Sequence, residues 1–363
     1  MRILIVSNSY PTHKNPTRQC FIRSIENGLK RAGHQTKLIY NRYFDLFESP
    51  LETGSVLTGV IKALFFILSS FRAVLFTCRK VDIIYSHAPL LPGFLMMVGA
   101  RLHGIPHVTY AHGSVNQYAK KKGLSYKLAA YTMQNCTQVF TNSVYMQKKL
   151  LEHYSIQSVV VTPGYNHRVF YYRDVEKTTD ILFAGNCIHR KGLHIFLHAI
   201  RTHNDWYRRN NIRVTIHCSG KLRPDAEHFC KRNQLEDLIS FGDKLEEREL
   251  AQAYCRTKLV VYPSLDEPLG LVGIEAIACG AFLIASNVGG IPEYVQQEET
   301  GLLFEPGNSQ ALQQAIERAI NEQLWKQPTE RLQSRQQALK PFTIEHGTRQ
   351  AINHFKKMIK PDG

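Results

Sequence analysis

Short apolar runs rich in β-branched residues recur along the chain and alternate with longer stretches of helical periodicity. Runs at residues 3–6, 36–40, 81–85, 107–110, 138–141 and 158–162 read as buried strands, with room for a crossover helix between most neighbours. The pattern restarts at 180–184, 213–217, 239–241, 259–262, 282–285 and 302–304. Alternating strand and helix predict parallel sheets covered on both faces, so the chain reads as α/β with two successive doubly wound domains.

The aromatic and polar stretch 164–177 separates the two series and puts the boundary near Phe170, with domains at 1–170 and 171–344. A last helical pattern, 344–359, follows Pro341 and carries Lys356, Lys357 and then Lys360. Its basic character matches the first half, so residues 345–363 are expected to cross back and join the first domain. A length of 363 residues lets two such domains bury cores without disulfides. The eight cysteines are scattered, with no C-x-x-C pair and no zinc-like cluster, and read as reduced thiols of a cytoplasmic protein. The opening apolar run is too short for a signal peptide. Lys62 and Arg72 interrupt the stretch 56–78, so no membrane-spanning helix is expected.

Charge sharpens this division. Residues 1–175 hold 21 Lys and Arg against seven Asp and Glu, an excess of +14, while the remainder holds 24 against 23. One half therefore faces an anionic surface and the other does something else. No helix-turn-helix, zinc or RNA-recognition motif accompanies the basic half, which argues against nucleic acid as the partner.

The residues most suited to chemistry follow the run 259–262. Tyr262-Pro-Ser-Leu-Asp-Glu267-Pro-Leu269-Gly270-Leu271 leads into a helical stretch carrying Glu275 and ending in Ala-Ile-Ala-Cys-Gly280. Beyond the carboxyl end of a strand, a helix N-terminus offers open N–H groups and the positive end of a dipole, which suits a diphosphate. Glu267 in the loop and Glu275 about a turn into the helix can face one cleft. Their alternative is a solvated loop acid and a helix-surface acid.

This block resembles the signature of the family-four retaining glycosyltransferases, in which a glutamate, seven residues and a second glutamate precede Ala-Ile-Ala-Cys-Gly. Ala285-Ser-Asn-Val-Gly-Gly-Ile-Pro-Glu293 and Thr300-Gly-Leu-Leu-Phe-Glu-Pro-Gly307 resemble the family's donor domain. Asp82-Ile-Ile-Tyr-Ser-His87 and Ile105-Pro-His-Val-Thr-Tyr-Ala-His112-Gly-Ser114 resemble its acceptor domain. The resemblance covers most of the chain in order. It implies the GT-B fold, two Rossmann-like domains facing a cleft.

By resemblance, Glu275 takes the ribose hydroxyls of a nucleotide-sugar and Glu267 the donor sugar, while the amides of Leu269, Gly270 and Leu271 hold phosphate and sugar oxygens. Lys191, in Gly185-Asn186-Cys-Ile-His-Arg190-Lys191-Gly192, would neutralise the departing diphosphate without a metal or other cofactor. The family usually has Arg directly after that first glycine. Here Asn186 stands there, and Arg190 or His189 is the candidate replacement; a solvated loop cation is the other reading of Arg190. His112 would sit beside the reacting end of the sugar. The acid common after His-Gly-Ser is Val115 here.

The resemblance also implies transfer of a hexose-type sugar, from a UDP- or GDP-sugar, to a lipid-linked or polysaccharide acceptor in cell-surface glycan synthesis. Lys120, Lys121, Lys122 and Lys127, interleaved with Tyr118 and Tyr126, add an expected contact with an anionic membrane surface, peripheral on the inner face. On a helical wheel, 56–80 is basic on one side and apolar on the other, fitting either an interfacial helix or an amphipathic core helix. A degenerate partner subunit and a basic polyanion-binding protein remain the competing readings.

Overall fold

A computed structural model describes residues 1–8, 10–11, 20–40, 61, 64, 67, 70, 73–326 and 335–359. Two compact units emerge, Met1–Gly164 with Ile344–Gly363 and Tyr165–Thr343. The division falls a few residues before Phe170, because Tyr165 and Phe170 are both buried in a core of the second unit with Tyr254, Leu182 and Ile277.

The first unit carries strands β1 (Arg2–Ser7), β2 (Gln35–Tyr40), β3 (Ile83–His87), β4 (His107–Ala111), β5 (Gln138–Thr141) and β6 (Val159–Val160). All pair in parallel, in the order β2-β1-β3-β4-β5-β6. The second carries β7 (Thr179–Asn186), β8 (Val214–Ser219), β9 (Ile239–Gly242), β10 (Thr257–Tyr262), β11 (Phe282–Ser286) and β12 (Gly301–Phe304), ordered β12-β11-β10-β7-β8-β9. Each unit is thus an α/β Rossmann-like layer. The interior strands β3, β4 and β11 are buried at every position, as helices on both faces require.

The order of strands decides where a ligand can sit. Strand order reverses between β1 and β3 in the first unit and between β7 and β10 in the second, opening a crevice at the carboxyl ends of those strands. β3 runs two residues later than its apolar pattern suggests, because Asp82 is held before the strand by the Arg2 amide (2.7 Å) and guanidinium (2.6 Å). That shift makes His87 the last residue of β3.

The helices that matter below are α1 (Cys20–Arg31), α2 (Ser114–Lys121), α3 (Glu247–Cys255), α4 (Leu271–Ala278) and α5 (Ile344–Met358). α5 joins the first unit and packs on α1. Their approach is close enough that a Cβ on Gly28 would lie 2.3 Å from Thr348 Oγ1. Phe355 inserts fully buried, edge-on to Tyr85 at 5.3 Å; truncating such a ring typically costs about 3–5 kcal/mol. Most of the wheel drawn at 56–80 lies outside the described residues. Its end is a π turn, Ala73–Thr77, and a 3-10 turn, Cys78–Lys80. Among the described residues no helix is long and apolar enough to cross a membrane.

Candidate functional site

In the second unit, two loops meet where the strand order reverses. After β7 the chain makes a 3-10 turn, His189–Lys191, closed by Gly192 with φ +71°. A Cβ there would come 1.8 Å from the Pro263 carbonyl oxygen, so glycine is what allows the Lys191 loop to lie against the Glu267 loop. Leu265 N–H then donates to the Arg190 carbonyl at 2.8 Å and locks the two together.

The lock assembles a charged cluster. Lys191 Nζ donates to Glu267 Oε2 at 2.5 Å and to Tyr262 OH at 3.0 Å. Tyr262 OH donates to the same carboxylate oxygen at 2.5 Å. Arg190 Nη1 donates to the Asp266 carbonyl at 2.8 Å and lies 4.0 Å from Glu267 Oε2. Glu267 is only 7% exposed, so its charge is carried by these partners rather than by water. Burial, then the charge of Glu267, pushes the Tyr262 hydroxyl well above its ordinary value and keeps it a donor.

Glu267 is also fixed from behind. Gly290 N–H donates to its carbonyl at 3.0 Å, and a Cβ on Gly289, where φ is +64°, would lie 1.8 Å from that oxygen. The Gly-Gly pair after β11 is therefore a clamp on the Glu267 backbone.

Gly270, at φ +90°, caps α4, and the amides of Leu269, Gly270 and Leu271 head that helix, where N–H groups lack intrahelical acceptors. Leu269 itself is buried. Tyr294 OH donates to the Gly270 carbonyl at 3.0 Å. Burial, then Glu267 and Glu275, holds the Tyr294 hydroxyl well above its ordinary range, so both carboxylates act on one side chain. Glu275, one turn into α4, is partly buried; burial and then Glu247 on α3 push its carboxyl up to about 8. Gly185 and Asn186 end β7, with Asn186 exposed. A Cβ on Gly185 would meet nothing within 4 Å. The fold does not require glycine there, and the open space beside the loop is what a ligand approaching the backbone would use.

The first unit brings together rings rather than charges. His112 follows β4, and Gly113 caps α2. Its Nε2 lies 3.4 Å from His87 Nδ1, and its ring stacks on Tyr110 at 4.4 Å and contacts Phe21 at 4.9 Å. Burial lowers His112 to about 4; burial and then His112 lower His87 well below its usual range. Both imidazoles are neutral at pH 7. His87 Nε2 is buried without a hydrogen-bond partner among the described residues. Ala88, the next residue, is held at φ +149°, a strained conformation for a side-chain-bearing residue. Val115 is fully buried among Ala111, Ala129 and Met146, so this position serves packing and has no place for an acid.

The structure brings Lys191, Glu267 and Arg190 together, and Gly270 and Glu275 share the neighbour Tyr294. Tyr262 and His87 were missed. Both are the final residues of strands flanking a reversal in strand order, a position that would have marked them once that order was known.

Comparison with known proteins agrees with this division. A family model described as glycosyl transferases group 1 matches residues 171–338, and one described as glycosyltransferase family 4 matches residues 21–169. An uncharacterized glycosyltransferase of Methanocaldococcus jannaschii is 29% identical over 66% of this chain. The chain spans 66% of that relative's length, just under two thirds. Sucrose-phosphate synthase from Thermosynechococcus elongatus superposes with a TM-score of 0.79 at 20% identity, covering 98% of both chains. Anabaena HepE, solved in complex with UDP-glucose, superposes with a TM-score of 0.73 at 16% identity over 98% of this chain and 100% of its own. These two likenesses establish a shared fold.

Proposed function

The chain belongs to the group 1, family-four glycosyltransferases, and from that membership we propose that it transfers a hexose-type sugar, with retention, from a UDP- or GDP-sugar to a lipid-linked or polysaccharide acceptor in cell-surface glycan synthesis. The observation that carries this reading is the Lys191–Glu267–Tyr262 cluster beside the head of α4, with Glu267 and Tyr262 buried.

Each group has a chemical task. Glu275 accepts hydrogen bonds from the ribose diol, a pair of donors that matches a carboxylate. The amides of Leu269, Gly270 and Leu271 and the dipole of α4 favour the diphosphate. A diphosphate competes with Glu267 for Lys191; the ammonium then stabilises the charge that grows on the leaving oxygen, and Arg190 supplies the second cation that Asn186 cannot. Glu267, released, accepts from the sugar hydroxyls. The anomeric carbon–oxygen bond to phosphate breaks, the bond to the acceptor oxygen forms on the same face, and the acceptor proton passes to the departing phosphate oxygen. His112, a neutral imidazole, acts on the sugar as a hydrogen-bond partner rather than a charge. This scheme needs no metal, since Lys191 and the helix amides meet the diphosphate. The UDP-glucose held by HepE is consistent with a uridine donor.

An anionic acceptor membrane is supported by the surface of the first unit. Lys120, Lys121, Lys122 and Lys127 are exposed around Leu124, itself 82% exposed. Cations beside a bare leucine suit peripheral contact with an anionic leaflet.

Thermal melting with UDP, GDP, ADP, CMP and their sugar conjugates, with and without EDTA, tests the donor half. A ligand at about 100 times its dissociation constant stabilises by roughly 2.7 kcal/mol, which raises the melting point by about 2–4 °C. A selective rise insensitive to EDTA supports the proposal. No rise with any nucleotide favours a degenerate subunit or a polyanion-binding protein.

A further inference from the structure

Two cysteines of the second unit meet at the ends of α3 and α4. β10 and β11 pair Leu259 with Phe282, so the turns that enter those strands lie side by side. One turn carries Cys255, the last residue of α3, and the other carries Cys279, directly after α4. Both side chains are buried in one apolar core with Tyr254 and Ala278, and their thiols share a hydrogen bond.

Arg173 makes the two sulfurs unequal. Its Nη1 donates to Cys255 Sγ at 3.6 Å, while its Nη2 donates to the Val169 carbonyl at 3.2 Å and its guanidinium lies 4.0 Å from the Tyr171 ring centroid. As a thiol, Cys255 donates to the Tyr171 carbonyl at 3.5 Å; as a thiolate it accepts from the guanidinium. The hydrogen bond from Cys279 outweighs burial and, with Arg173, brings the Cys255 thiol down to about 6, whereas the same bond and then burial push Cys279 up. One sulfur is a nucleophile at neutral pH and its neighbour keeps its proton. A second close pair, Cys187 and Cys218, lacks this asymmetry: burial pushes both thiols up, Cys218 to about 12. A cavity of about 250 Å³ is lined by Tyr171 and Tyr172 beside Cys255 and by Ile277 and Ala278 just before Cys279. It has room for a molecule little larger than water.

We propose that Cys255 and Cys279 are a peroxide-oxidised dithiol, in which Cys255 attacks, Cys279 resolves, and the resulting disulfide ties the end of α3 to the end of α4. The Cys255 thiolate attacks one peroxide oxygen, the O–O bond breaks, and the departing hydroxide takes a proton from solvent to leave as water. The Cys279 sulfur then attacks the sulfenic sulfur of Cys255; the S–O bond breaks, the S–S bond forms, and hydroxide leaves as water with the Cys279 proton. The peroxide accepts both electrons that the pair gives up. The bridge closes on the turn of α4 that carries Glu275, whose carbonyl accepts the Cys279 N–H at 3.1 Å. The assignment rests on the thiols and does not depend on the transferase reading.

The test treats the full chain briefly with excess hydrogen peroxide at pH 7, alkylates the remaining thiols and maps peptides without reduction. The expected product is a Cys255–Cys279 cross-linked peptide pair that reductant releases, with Cys187 and Cys218 recovered alkylated. Cys279→Ser should leave a sulfenic acid on Cys255 that dimedone captures. Arg173→Gln should slow cross-linking roughly tenfold at pH 7 and little at pH 10, where the thiol ionises without help. Three results overturn the proposal: no Cys255–Cys279 cross-link, a Cys187–Cys218 cross-link formed at the same rate, or an unchanged rate in Arg173→Gln at pH 7. If Cys279→Ser does not fold, the partly exposed Arg173 position decides.

Discussion

The two units answer the question of charge in opposite ways. The half of the sequence with a +14 excess places neutral groups where its strand order reverses: His87 and His112, both discharged by burial, among Tyr110 and Phe21. The half that is nearly neutral overall sets a partly buried lysine against a buried glutamate there. Net charge thus reports what a surface meets, whereas chemistry depends on individually placed charges that cancel in the sum. On the function proposed above, a cation that meets a leaving diphosphate is kept paired until the ligand arrives, while cations that meet a membrane stay exposed.

Substitutions separate these roles. Lys191→Ala removes the partly buried cation that contacts Glu267 and should lower donor turnover roughly 10²–10³-fold, measured as sugar-nucleotide consumption; near-normal turnover removes Lys191 from the mechanism. Replacing Lys120, Lys121 and Lys122 together by Gln should reduce partition onto anionic vesicles by about two orders of magnitude, at about 1 kcal/mol per cation, with nucleotide binding untouched. Equal flotation of variant and parent on such vesicles at low salt would sink the membrane reading.

Glu275 gives the comparison a pH axis. Its folded carboxyl stands near 8, above the ordinary carboxylate value, so it is protonated at neutral pH and, in the role proposed for it, must ionise to accept both ribose hydroxyls. Affinity for a sugar nucleotide should rise by up to about tenfold per pH unit below 8 and level off above. The same shift costs stability as pH rises from the unfolded carboxyl value through 8, so Glu275→Gln should raise the melting point at pH 8 and not at pH 4. Isothermal titration and melting across pH check both signs; a flat affinity profile in the parent excludes the role. The smallest effect belongs to the first unit. His87→Phe should reduce kcat by roughly three- to tenfold and shift the NMR titration of His112, which a purely structural role for His87 would leave in place.

Much of the fold was legible because parallel strands need continuous β-branched runs, and each of the twelve runs became a strand. The order of strands was not legible, since periodicity says which residues are buried and not which strands are neighbours. That gap explains the residues missed. Tyr262 at the end of an apolar run reads as core until the reversal beside β7 turns its hydroxyl into a hydrogen-bond donor to Glu267. His87 is one of sixteen histidines, and only the pairing of β3 with β4 brings it to His112. Glu267 and Gly270 were readable because the strand, the loop and the helix head are consecutive in sequence. Resemblance left the roles of Asn186 and Val115 open; burial explains the second, and Arg190 near Glu267 bears on the first.

The packing of α5 on α1 sets an order of events during synthesis. Residues 344–358 leave the ribosome only after the whole second unit has been made, yet Phe355 and Thr348 complete the core of the first. The second unit is continuous in sequence and can close on its own, while the first waits, with Tyr85 and Phe140 lacking their aromatic cover, until the last helix arrives. The earlier-translated unit therefore lacks part of its core until residues made after the second unit are available to it.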